Sequence, residues 1–179
     1  RPGWFIGLRR VMLDEASSER VLQRADDGRS LDFQRLRIRS LMLRLEGSRY
    51  LLPLKRRGCR GAAQSWRGMA SFGLLAYRQD LIDVNGWDNR FDEHYYAEDW
   101  DLFARLEHHG VKPAFASRRC TAFHLFHEPS HHDLDNENYK MLSETINNGT
   151  IRAKTGLEET IKQLAASGRR ELSPPNVKP

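Results

Sequence analysis

The stretch EDWDLFARLEHHG, residues 98–110, constrains the fold more than any other part of the chain. Three acids open it, two histidines lie near its end, and Gly110 follows. That order of charge complements a helix dipole, and the glycine supplies a left-handed stop. Trp100, Phe103 and Ala104 fall on one side, so this helix needs an apolar surface to lie on. Strand-like runs are available at 4–13 (WFIGLRRVML) and 69–77 (MASFGLLAY). Residues 111–127 (VKPAFASRRCTAFHLFH) read as a strand or two ending in histidines. Further helical spacing occurs at 14–25, 78–84 and 136–148, with the Asn85-Gly86 pair as a stop for the second of these. Strands interspersed with helices in this way predict an α/β fold, a mixed sheet with flanking helices.

Charge is the second constraint. The chain carries a formal +5, and residues 29–60 hold ten Arg or Lys against only Asp32 and Glu46. Such a block suits an anionic partner. Within it Leu31, Ile38, Leu41, Met42 and Leu45 fall along one side of a helix, with Arg35, Arg37, Arg39 and Arg44 off that stripe. Two readings stand. The stripe packs on its own domain with the arginines in solvent, or the helix rests on an anionic membrane surface. No apolar run approaches the roughly 18–20 residues of a spanning helix. Cys59 and Cys120 give neither a disulfide framework nor a metal spacing, so a reducing, cytoplasmic setting is expected, peripheral to the inner membrane face. The opening RPGWFIGLRR lacks a signal peptide's features and an initiator Met, and is expected to continue a longer protein or to result from processing. Four segments follow: 1–28, a strand and helix; 29–60, basic and amphipathic; 61–149, a core; and 150–179, where the signal weakens to a helix and a tail.

The acids admit a plain explanation, since carboxylates are stabilised at a helix N-terminus. Three within four residues exceed what a cap requires. A tyrosine-rich loop precedes them, the kind of surface that stacks on sugars. Four histidines, His124, His127, His131 and His132, lie within nine residues further on.

Taken in order, VNGWDNRF, EDWDLFARLEHHG and AFHLFHEP resemble the C-terminal half of an inverting, metal-dependent glycosyltransferase of the GT-A fold. The nearest likenesses are the family 2 bacterial polysaccharide and lipopolysaccharide glycosyltransferases and the C-terminal region of the beta-1,4-galactosyltransferases. The opening PGWFIGLRRVMLDEASSERVL is similar to the bacterial enzymes as well, so the resemblance covers roughly 2–25 and 60–145. It implies the acceptor-binding part of a nucleotide-diphospho-sugar transferase, with a βαβ half ending in Asp-x-Asp upstream of Arg1. Asp99 matches the aspartate that serves as catalytic base. Glu98 matches a residue that holds the acceptor sugar, and Trp87, Tyr95 and Tyr96 are candidates for the acceptor platform. Asp101 is expected to cap or orient the helix. Tyr95, Tyr96 and Ala97 stand where the family has Trp-Gly-type residues.

The resemblance also implies a divalent metal, Mn²⁺ or Mg²⁺, with His127 as ligand and His124 beside it. A strand would put 124 and 127 on opposite faces, so a two-histidine site needs a turn between them. The implied partners are a nucleotide-sugar donor, UDP-linked, and a glycan or lipid-linked acceptor. A nucleic-acid partner is not expected, because the arginine block has few interleaved aromatics and matches no known reader. The rival class is a non-catalytic metal- or anion-binding module built on the histidines and the arginine-rich segment.

Overall fold

The computed structural model describes residues 3–46, 65–67, 69, 71–91, 97–116, 121–128 and 137–167. The chain divides into two compact units. One comprises Gly3–Ala76 and Lys112–Leu134; the other comprises Tyr77–Val111 and Asp135–Pro179.

The first unit carries the strands. The expected single strand at 4–13 is two, β1 (Trp4–Gly7) and β2 (Arg9–Met12), which belong to different sheets. The break falls at Leu8, whose N–H leaves the strand ladder and donates to the Gly73 carbonyl at 2.9 Å. That carbonyl ends a single 3-10 turn, Ser71–Gly73, which leads into the two-residue strand β3, Leu74–Leu75. β1 is the centre of a mixed sheet. It pairs antiparallel with β3 and parallel with β4 (Lys112–Phe115), in the register Trp4↔Lys112 to Gly7↔Phe115. β2 pairs in parallel with β5 (Thr121–His124), from Arg9↔Thr121 to Met12↔His124. Phe5 and Val11 are fully buried, and Trp66 and Met69 add to the same unit's apolar interior.

Helix α1 (Glu15–Asp26) begins where the Asp14 carboxylate accepts from the Ser17 N–H. A hydrogen bond from the Ser17 side chain, then the charge of Arg39 and that backbone bond, outweigh burial and hold the Asp14 carboxyl below the usual carboxylate range. Helix α2 (Phe33–Met42) begins the same way, Asp32 accepting from Arg35 N–H. The apolar stripe along α2 packs only in part: Leu31, Leu41 and Leu45 are half-buried. Leu36 and Ser40 face the unit, while Ile38 and Met42 are exposed, Met42 by 78%. Arg39, expected in solvent, instead donates to Ser17 Oγ at 2.7 Å. The reason is rotational: a short helix held to α1 by Arg39 must turn its 36/40 side inward. Residues 47–60 of the basic segment lie outside the described residues.

The second unit is helical: α3 (Arg78–Asp83), α4 (Glu98–His108), α5 (Glu137–Asn147) and α6 (Leu157–Ala166). α4 is buried on every side from Asp101 to Leu106, which makes it a core rod rather than a surface helix. Only its two ends emerge. Trp100, expected on the packed face with Phe103 and Ala104, belongs to the emergent first turn and is exposed. The architecture is thus α/β, with a mixed sheet and helices, as the alternation of patterns predicts.

Candidate functional site

In the second unit the first turn of α4 is set by backbone before side chains enter. Ala97 takes the left-handed conformation, φ 73° and ψ −15°, and its carbonyl accepts the Asp101 N–H at 2.8 Å. A non-glycine residue there carries strain of about 1–2 kcal/mol, and such strain gathers at functional positions. Without a side-chain cap, the helix emerges with Glu98 and Asp99 as its first two residues, both half-buried. Oε2 of Glu98 is buried and has no hydrogen-bond partner among the described residues. A buried acceptor without a donor costs about 1–3 kcal/mol unless something supplies one.

Asp101 plays a different part. Its Oδ2 accepts from Arg105 Nε at 2.7 Å, its Oδ1 accepts from Thr145 Oγ1 at 2.7 Å, and both charged side chains are 1% exposed. Arg105 Nη1 then donates to the carbonyls of Val84 and Gly86 at 2.7 and 2.8 Å. The third acid of the motif therefore locks α4 to α5 and to the Asn85-Gly86 turn, which agrees with an orienting role. Asn85 and Gly86 both have positive φ, 64° and 67°. Asn85 is a hub: its Nδ2 donates to the Ala153 carbonyl and to Glu159, and its Oδ1 accepts the Glu158 N–H. Asp88 accepts a bidentate pair from Arg90 and a further bond from Lys154 N–H. Burial pushes its carboxyl up, but these donors outweigh that and hold it below the usual range. Trp87, between Gly86 and Asp88, is 40% exposed. Tyr95 and Tyr96 lie outside the described residues.

The histidines belong to the first unit. β5 ends at His124, and the next residues curl so that His124 Nε2 and His127 Nε2 come 3.0 Å apart. The ring centroids are 5.1 Å apart. The turn required between them is present, and Phe126 N–H fixes it by donating to Ser18 Oγ at 2.7 Å. His127 Nδ1 lies 3.0 Å from the Glu128 carbonyl, which can only accept, so Nδ1 carries a proton. Its Nε2 is thereby left to the partner ring, and the backbone carbonyl orients the ring as carbonyls orient metal-ligating imidazoles. Burial lowers the His124 pKa, and the charges of Arg10 and His127 lower it further. His131 and His132 lie outside the described residues.

Two imidazoles with adjacent ring nitrogens suit the nitrogen part of a transition-metal shell and suit Mn²⁺ better than Mg²⁺, which prefers oxygen throughout. Among the described residues no group of three or more His, Cys, Asp and Glu converges as a metal site. Among them, too, no helix is long and apolar enough to cross a membrane.

What sequence reasoning missed are the partners of Asp101, Arg105 and Thr145, and the Asn85 hub. An Asp/Arg pair at i, i+4 was a legible signal for the first; the second had only the Asn-Gly pair, read as a stop. Comparison with known proteins adds one finding. Residues 62–143, just under half of the chain, match a family described as the N-terminal domain of galactosyltransferase. No curated protein and no solved structure matches. The matched stretch contains the Asn85 turn, all of α4 and the His124–His127 pair, and on that match the chain carries a glycosyltransferase-like domain.

Proposed function

We propose that the chain provides the acceptor side of an inverting glycosyl transfer from a nucleotide-sugar, UDP-linked, to a glycan or lipid-linked acceptor in surface polysaccharide synthesis. The observation that carries this reading is the orphaned Glu98 Oε2 at the emergent turn of α4, inside the segment that matches the galactosyltransferase family. A buried carboxylate oxygen without a donor is suited to receive one from a sugar hydroxyl. The strained Ala97 backbone aims that turn.

In this mechanism Glu98 accepts a hydrogen bond from the acceptor sugar and holds it in line, while Trp87, with Tyr95 and Tyr96, forms the platform under the ring. Asp99 takes the proton of the acceptor hydroxyl as that oxygen attacks the anomeric carbon. The new C–O bond forms as the bond from the anomeric carbon to the donor's phosphate oxygen breaks. The electron pair leaves with the nucleoside diphosphate, and the proton passes from Asp99 to solvent. His127 and His124 would hold a divalent metal, Mn²⁺ by the chemistry of the donor set. When bound, such an ion supplies charge neutralisation for the departing diphosphate. Buried Asp101 keeps α4 in place and takes no part in proton transfer. The core segment 61–149 carries this chemistry, and the basic segment 29–60 holds the protein at the cytoplasmic, anionic face of a membrane, where lipid-linked acceptors lie.

The test is Asp99→Asn in the full-length protein, with nucleoside diphosphate release followed across a panel of UDP-sugars. Loss of a general base lowers turnover by about 10²–10⁴-fold, with donor binding retained. Undiminished turnover would remove Asp99 from the mechanism.

A further inference from the structure

Arg10 is a charged side chain of the first unit with no part in the proposed transfer reaction. It lies on β2, and the parallel register sets Arg10 beside Ala122 and Met12 beside His124. Residues paired in register share a face, and so do residues two apart along a strand. Arg10, Met12, Ala122 and His124 therefore line one face of the two-stranded sheet, while Val11 is buried on the other. Strands lie about 4.8 Å apart and alternate residues about 6.7 Å apart along a strand, which is within the reach of an arginine side chain. Consistent with this, the charge of Arg10 acts on the His124 ring.

Arg10 is exposed and makes no ion pair among the described residues. Its guanidinium lies over the Phe72 ring, 5.8 Å from the centroid, which steadies the planar fork without using its N–H donors. Met12 and Ala122 contribute no competing charge. The arrangement is a donor fork on an aromatic shelf, next to a pair of imidazoles drawn together by a turn.

We propose that Arg10 is a diphosphate-binding residue, its guanidinium taking phosphate oxygens of the leaving group beside His124 and His127. Arginine is the side chain suited to bidentate recognition of phosphate. The inference rests on the proposed transfer reaction for the identity of the diphosphate, but not on any residue at the start of α4. Its role is to offset charge on the departing group, and to do so whether or not an ion is bound to the imidazoles.

The experiment uses the full chain, titrated calorimetrically with inorganic pyrophosphate, with and without Mn²⁺, and Mn²⁺ binding is followed separately by electron paramagnetic resonance. Arg10→Gln, an exposed substitution, weakens pyrophosphate binding about tenfold, the size expected for one charge-assisted contact, and leaves Mn²⁺ binding unchanged. Arg10→Lys restores part of the affinity, and Phe72→Leu loses part of it. UDP and geranyl diphosphate serve as further probes. Tighter UDP binding assigns the site to the nucleotide donor, and tighter geranyl diphosphate binding assigns it to a lipid carrier; in both cases the Arg10 dependence holds. Equal pyrophosphate affinity in wild type and Arg10→Gln, or no binding to either, overturns the proposal. If Mn²⁺ fails to bind while the Arg10 dependence persists, the metal part of the proposed function falls and the anion site stands.

Discussion

At the scale of single residues, the acids of EDWD separate by burial. Glu98 and Asp99 emerge with the first turn of α4, whereas Asp101 is sealed with Arg105. A buried pair that loses one partner leaves an uncompensated charge, typically costing about 3–5 kcal/mol. Asp101→Ala is therefore expected to lower unfolding stability by that order, read by urea denaturation. A cost under about 1 kcal/mol would mean that Arg105 is satisfied by its two carbonyl partners alone. Its place among acids at a helix N-terminus was enough to give Asp101 a capping or orienting role, and the i, i+4 spacing to Arg105 was there to be read. It does not show that Thr145, 44 positions away, completes the shell of the same carboxylate. Long-range polar partners leave no periodicity to read. Ala97 is a similar case: nothing in the identity of an alanine announces a positive φ.

At the scale of elements, helices proved more legible than strands. The charge-ordered helix at 98–108 stands where its pattern places it. The run at 4–13 splits because Leu8 bonds to Gly73, a partner supplied by a distant turn. α2 shows how an apolar stripe can exist while only part of it is packed. With Arg39 committed to Ser17, the helix leaves Ile38 and Met42 exposed beside the solvated Arg35. That combination favours an anionic membrane surface, which attracts each nearby arginine by about 1 kcal/mol. In flotation, the protein should rise with vesicles containing phosphatidylglycerol and stay down with phosphatidylcholine alone. Met42→Asp should reduce the bound fraction. Equal behaviour with both vesicle types would reject the membrane role.

At the scale of the whole molecule, acid stability is unevenly held. Among the described residues the depressed carboxylates are Asp14 in the first unit and Asp88, Glu158 and Glu159 in the second. The Glu159 carboxyl is held down to about 2, first by the Gly156 N–H and then by the Asn85 side chain. A carboxyl depressed on folding contributes stability that is complete above its ordinary pKa, 4.5 for Glu159, and is lost as pH falls through its folded value. Stability should thus fall between about pH 4.5 and 2, and Glu159→Gln should make that limb shallower in denaturant midpoints measured against pH. An unchanged slope would show that Glu159 does not carry the effect.

The approach of Gly156 to the Asn85 turn reaches beyond energetics. A methyl group on Gly156 would stand 2.1 Å from the Asn85 carbonyl oxygen, so the backbones there touch with no side chain between them. The stretch that matches the family ends at residue 143, yet the scaffold that steadies the Asn-Gly-Trp corner is built from residues 153–160. A gene segment trimmed to the matched boundaries would keep the proposed site and discard its buttress, so graftable modules of this kind should be cut beyond α6.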